Sequence, residues 1–217
     1  MGEDRLLKRD LFGEVLLRIS GDERLVIRDT RPAPWWTRWL ARLLLRRELR
    51  ALAVLDGIDG IPSVRHFDKH TLARSYLAGE PMHVSKPADT RYFKQAARLL
   101  RRLHSRGVTH NDLAKEPNLL VTGDGAPAFI DYQLAAYSRR RGRLFRAAAR
   151  EDIRHLLKHK RTYCPEALTA RERAILDNPS PISRAYMALV KPLYLFVTRR
   201  MMGWSDREGA GDRGASG

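Results

Sequence analysis

The run His110-Asn111-Asp112-Leu113-Ala114-Lys115-Glu116-Pro117-Asn118-Leu119-Leu120-Val121, followed by Phe129-Ile130-Asp131-Tyr132, constrains the fold of this chain more than any other feature. Between the two, Thr122-Gly123-Asp124-Gly125 has the composition of a tight turn, so Leu119–Thr122 and Ala128–Ile130 read as the strands of a hairpin. So short a hairpin brings its outer ends together. Asp112 and Asn118 then lie on the loop that enters it, and Asp131 on the residue that leaves it. Two carboxylates and an amide are hard oxygen donors, the kind that a divalent cation bridging phosphates takes.

With 217 residues, 43% of them hydrophobic, the chain can bury a sizeable core as one large domain or two small lobes. Its net charge of +16, from 41 Lys and Arg against 25 Asp and Glu, draws it to polyanions. Nucleic acid, anionic lipid head groups and phosphorylated small molecules all fit that charge, but no specific nucleic-acid motif accompanies it. The acidic start Met1-Gly2-Glu3-Asp4 has no apolar run behind it, so no secretory signal is expected. The most apolar stretch, 185–202, is interrupted by Lys191, Pro192, Arg199 and Arg200, which excludes a bilayer span there. Cys164 is the single cysteine, so no intrachain disulfide can form. The expected location is cytoplasmic, with peripheral contact at the inner membrane face left open.

Residues 11–30 alternate as strands do, with Leu11–Ile19 and Arg24–Asp29 flanking Ser20-Gly21-Asp22-Glu23. Any strand before Gly13 would be Leu6–Leu11. Pro32 and Pro34 end the sheet pattern, and from Trp35 to about Leu55 the pattern is helical, closing at Asp56-Gly57. Short apolar pieces follow at Val64–Phe67 and Thr71–Leu77, then a break at Ala78-Gly79-Glu80-Pro81. Beyond it, Thr90–Ser105 is an amphipathic helix capped by Gly107, and further helices are expected near Ala147–Lys160 and Thr169–Leu176. Arg139–Arg143 is a basic stretch, Ile182–Met202 an apolar-basic segment, and Ser205–Gly217 has the composition of a disordered tail.

On a helical wheel, Ala41, Leu44, Leu45, Ala51, Leu52 and Leu55 fall within about 60° of Glu48. A carboxylate centred on an apolar face needs a cation if it is buried. Trp35, Trp36 and Trp39, interleaved with Arg38, Arg42, Arg46 and Arg47, suit either a membrane interface or packing beside the core. His155 and His159, four apart, read as part of a solvated basic face rather than a zinc pair.

The His110–Asn118 segment resembles the catalytic loop of the protein kinase-like superfamily, and Asp131-Tyr132-Gln133 resembles its metal-binding element. The resemblance covers roughly residues 8–160 and implies an α+β, two-lobed protein kinase-like fold. Its small antiparallel-sheet N-lobe would span 1–78 and its mainly helical C-lobe 79–204, with residues 205–217 as a disordered tail. It further implies ATP and Mg²⁺ as cofactors and a hydroxyl-bearing acceptor. In those terms Asp112 takes the acceptor's proton, Asn118 and Asp131 hold the metal, and Arg28 and Glu48 form the ion pair at the nucleotide. His110 and Asp152 would support the loop. The compact size resembles bacterial lipopolysaccharide-core sugar kinases and RIO-type kinases, and no Ala-Pro-Glu element follows Asp131. A sugar or lipid-linked acceptor is therefore expected over a protein.

Three positions depart from the family's pattern. Asn118 follows Asp112 by six residues instead of five, with Pro117 in the usual place. Position 28 carries Arg where the family has Lys, and the two are not interchangeable at a phosphate site. Only Gly13 is available to a phosphate-covering turn. These departures suit an alternative, a catalytically degenerate module that binds nucleotide or an anionic membrane surface.

Overall fold

A computed structural model of the protein describes residues 3–178. The apolar-basic segment 182–202 and the tail 205–217 lie outside the described residues. The chain opens with a meander of β1 (Glu3–Asp10), β2 (Gly13–Ser20) and β3 (Glu23–Asp29). Next come helix α1 (Arg38–Leu55) and strands β4 (Val64–Phe67) and β5 (Thr71–Ser75). These strands form one antiparallel sheet ordered β1-β2-β3-β5-β4.

After the link at 76–79 come β6 (Glu80–Pro81), the single turn α2 (Met82–Ser85) and α3 (Thr90–Ser105). Strand β7 (Val108–Thr109) precedes the loop of interest, and β8 (Leu119–Val121) and β9 (Pro127–Phe129) form the hairpin. Strand β10 (Ala136–Tyr137) pairs back with β7, and α4 (Arg143–Tyr163) and α5 (Ala170–Asp177) complete the described chain. The protein is thus α+β, with a small antiparallel sheet and several helices.

Several boundaries differ from the sequence reading, each for a local reason. The first hairpin turns at Leu11-Phe12, where the Asp10 carboxylate accepts the Phe12 N–H, so β1 ends at Asp10 and β2 begins at Gly13, not Leu11. Gly13 has φ 118°, and a Cβ there would meet the Asp29 carbonyl oxygen of the neighbouring strand at 2.0 Å, so the turn needs glycine for packing. Helix α1 starts at Arg38, not Trp35. Residues 34–37 form a turn in which the Thr37 and Arg38 N–H groups both donate to the Pro34 carbonyl. Strand β5 stops at Ser75, short of Leu77. Helix α4 is longer at both ends than Ala147–Lys160 and begins within the basic stretch.

The largest core cluster crosses the link. It joins Ala51, Leu52, Leu55, Ile58 and Ile61 to Tyr92, Phe93, Leu100, Leu103, Leu113, Phe129 and Tyr132. The Phe129 N–H donates to the Gly60 carbonyl (2.9 Å), stitching the hairpin to the turn after α1. Residues from both sides of position 78 therefore depend on one another's burial.

Candidate functional site

The loop between β7 and β8 is held by α4. Asp152 is fully buried, and its Oδ2 accepts the His110 N–H (2.8 Å) while its Oδ1 accepts the Asn111 N–H (2.8 Å). His104 Nε2 lies 3.2 Å from the same Oδ2. Seven residues further, on the same face of the helix, His159 Nε2 lies 2.8 Å from the Leu113 carbonyl. Two polar side chains two turns apart thus grip both ends of the segment 110–113. The clamp fixes Asn111 at φ 64°, a left-handed conformation that asparagine tolerates.

Neither histidine of α4 belongs to a solvated basic face, which corrects the sequence reading. His159 is buried, His155 is half-buried, and burial pushes both imidazoles down, His155 to about 4. The periodicity misled because buried polar groups facing a loop backbone look the same in sequence as polar groups facing water.

Asp112 points into this structured loop. Asn118 Nδ2 donates to both the Asp112 carbonyl and its Oδ2, each at 2.9 Å, and Lys115 Nζ lies 3.2 Å from that same Oδ2. The extra residue before Asn118 is absorbed by a 3₁₀ turn over Glu116–Asn118, which still delivers the amide to Asp112. Burial raises the Asp112 carboxyl, Lys115 opposes that, and the charge of Asp131 adds to it. Lys115 stood inside the motif but was not assigned a part; its place three residues after Asp112 was the available signal.

The hairpin brings Asp131 to the same place. Asn118 accepts the Ile130 N–H (3.0 Å), and His110 Nε2 lies 3.0 Å from the Ile130 carbonyl, so both ends of the loop touch the residue before Asp131. Asp131 itself has φ 65°, and its Oδ1 accepts from Gln133 Nε2 (2.7 Å). Burial works to raise its carboxyl, but the charges of Arg28 and Arg74, the Gln133 hydrogen bond and the charge of Lys115 outweigh it and hold the group below the usual carboxylate range.

Glu48 has no solvent exposure. Its Oε1 is hydrogen-bonded by Arg74 Nη1, and its Oε2 lies 3.5 Å from Arg28 Nε. Arg28 on β3 pairs across the sheet with Leu72 on β5, so Arg74, two residues on, shares its face. Both arginines are buried. Sequence reasoning found Glu48 and Arg28 and missed Arg74. The signal was an arginine in step with Leu72 on the core face of a strand.

Asp112, Asn118 and Asp131, with His110 and Asp152 behind them, are therefore brought together from the hairpin region, and Glu48 and Arg28 reach the same region with Arg74. Among the described residues no group of three or more His, Cys, Asp or Glu side chains forms a metal cage. Asp131 and the Oδ1 end of Asn118 are nonetheless oxygen donors of the kind Mg²⁺ takes, an ion that binds through one or two carboxylates and draws its remaining ligands from water and substrate phosphates. An open pocket of about 420 Å³, lined by Asp59, Arg98, Arg102 and Asp124 among others, includes none of these residues. No protein-family model matches the chain, and no curated protein matches it either.

Proposed function

We propose that the chain is a small phosphotransferase of the protein kinase-like superfamily, moving the γ-phosphoryl group of ATP to a hydroxyl on a sugar or lipid-linked acceptor. One observation carries the reading. A buried Asp112, oriented by Asn118 and balanced by Lys115, sits on a loop whose backbone is clamped by Asp152, against the residue preceding Asp131.

In this reading Asp112 accepts the proton of the acceptor hydroxyl as the new P–O bond forms and the bond to the ADP oxygen breaks. Asn118, through the Oδ1 end of the amide whose nitrogen holds Asp112, and Asp131 would hold Mg²⁺, which when bound neutralises phosphate charge. Arg28 and Arg74, anchored by Glu48, supply positive charge for the donor phosphates. The absence of an Ala-Pro-Glu element after Asp131 favours a small or lipid-linked acceptor over a peptide. A cytoplasmic site of action follows from the use of ATP.

The test is Mg²⁺-dependent ATP turnover with lipopolysaccharide-core sugars as acceptors, comparing the protein with its Asp112→Asn variant. A loss of about 10²–10⁴-fold is expected. Equal turnover by the two proteins sinks the proposal. A second reading, a degenerate nucleotide-binding module, is favoured by Arg28 and by Leu11-Phe12 at the first turn where a phosphate loop has glycines. Nucleotide binding by calorimetry without turnover is its signature.

A further inference from the structure

The start of α1 presents an apolar surface that nothing in the described chain covers. Trp35 is 83% exposed, Trp39 66%, Leu43 47% and Trp36 42%. Trp39, Leu43, Arg46 and Arg50 recur at three- and four-residue spacing and form one outward stripe, opposite the buried stripe of Ala41, Leu45, Glu48 and Leu52. Large exposed aromatics clustered this closely are uncommon on a protein surface that has no partner.

The scaffold beneath the tryptophans is well ordered. The Ala33 N–H donates to the Thr30 carbonyl (3.2 Å), and the Thr37 and Arg38 N–H groups close the next turn on Pro34 (3.0 Å each). The Arg38 guanidinium bonds the Ala33 carbonyl (3.0 Å), and the Thr37 hydroxyl bonds the Leu11 carbonyl (2.6 Å). The backbone that carries the rings is therefore fixed before any partner arrives, which reduces the entropy cost of docking.

Charge selects the partner. Residues 32–47 contain four arginines (38, 42, 46 and 47) and no acidic residue, in a chain of net charge +16, while Arg31 just before them is paired with Asp29. A second copy docking through the same patch would oppose these arginines to themselves. Single-stranded nucleic acid is held by aromatic stacking along a basic groove, whereas this patch includes Leu43, an aliphatic side chain that offers no ring to stack on. Tryptophan at a helix end, with leucine beside it and arginines alongside, suits the head-group layer of an anionic bilayer. No helix among the described residues is long and apolar enough to cross a membrane.

We propose that Trp35, Trp36, Trp39 and Leu43, with Arg42 and Arg46, form a docking surface for anionic phospholipid bilayers. The proposal is independent of the phosphotransferase reading, and its test needs no turnover. The full-length protein is floated with vesicles of phosphatidylglycerol and phosphatidylcholine in equal parts, and with phosphatidylcholine vesicles alone. Binding to the anionic vesicles is expected. Replacing Trp35, Trp36 and Trp39 together by Ala is expected to weaken it by about tenfold or more. These side chains are exposed, so circular dichroism of the variant should match the parent. Arg46→Glu, also at an exposed position, is a second variant expected to weaken binding. In a Trp204→Phe background, tryptophan fluorescence should shift to the blue on anionic vesicles only.

Four results overturn the proposal: no binding, binding equally strong to neutral vesicles, binding undiminished in the triple variant, or tryptophan-dependent self-association in place of vesicle binding. Tryptophan-dependent capture of a single-stranded oligonucleotide, with no vesicle binding, overturns it too and reassigns the surface to nucleic acid.

Discussion

Glu48, Arg28 and Arg74 are each shielded from water, so their charges are matched by one another and by Asp131. Removing one member leaves the others buried without a counter-charge, which costs far more than losing a surface pair. Glu48→Leu should therefore destabilise the protein by about 3–5 kcal/mol in urea unfolding. Asp4→Ala, which breaks the exposed pair with Arg18, should change stability little. Asp152 makes a different kind of contact, because its two oxygens accept two backbone N–H groups. In Asp152→Asn one acceptor becomes a donor, so one of these bonds is lost. A destabilisation of about 2 kcal/mol is expected, with the amide resonances of His110 and Asn111 displaced in NMR spectra.

Helix α4 makes its contribution at the scale of an element, because its inner face is polar where it meets the loop and apolar elsewhere. With His155 pushed down to about 4 and His159 also lowered, the folded protein keeps both rings neutral at pH values where the unfolded chain protonates them. Stability should then fall as pH drops below about 6.5 and go on falling toward about 4. Thermal melts between pH 7 and 4.5 check this, and His155→Gln should flatten part of the slope, by an effect of order 2 kcal/mol. The mixed inner face also explains why the sequence placed this helix short and misread its histidines. Helix α3 was read to its exact ends because its signals are local: Asp89 accepts the Arg91 N–H at the start, and Gly107 has φ 78° just past the end. The start of α1 was misplaced by the tryptophans, whose bulk resembles a core stripe but faces outward.

In the molecule as a whole, the second half of α1, the turn after it and the elements beyond the link share one core, so they should unfold together. Leu52→Ala, at a fully buried position of α1, should cost about 2–5 kcal/mol. Tryptophan fluorescence and far-ultraviolet circular dichroism should then shift to the same midpoint. The candidate site was legible to the extent that it is local in sequence. Asp112, Asn118 and Asp131 lie around one hairpin, and Glu48 shows on a helical wheel. Arg74 and the His159 clamp reach the site only through strand pairing and helix docking, which no single stretch of residues encodes. The Thr37 hydroxyl, bonded to the Leu11 carbonyl, has a mechanical consequence. The first hairpin's tip is fastened to the start of the helix that carries Glu48, so it cannot flap alone. A displacement of the tip therefore pulls on the start of α1, and the buried charge of Glu48 lies about 15 Å further along the same rod.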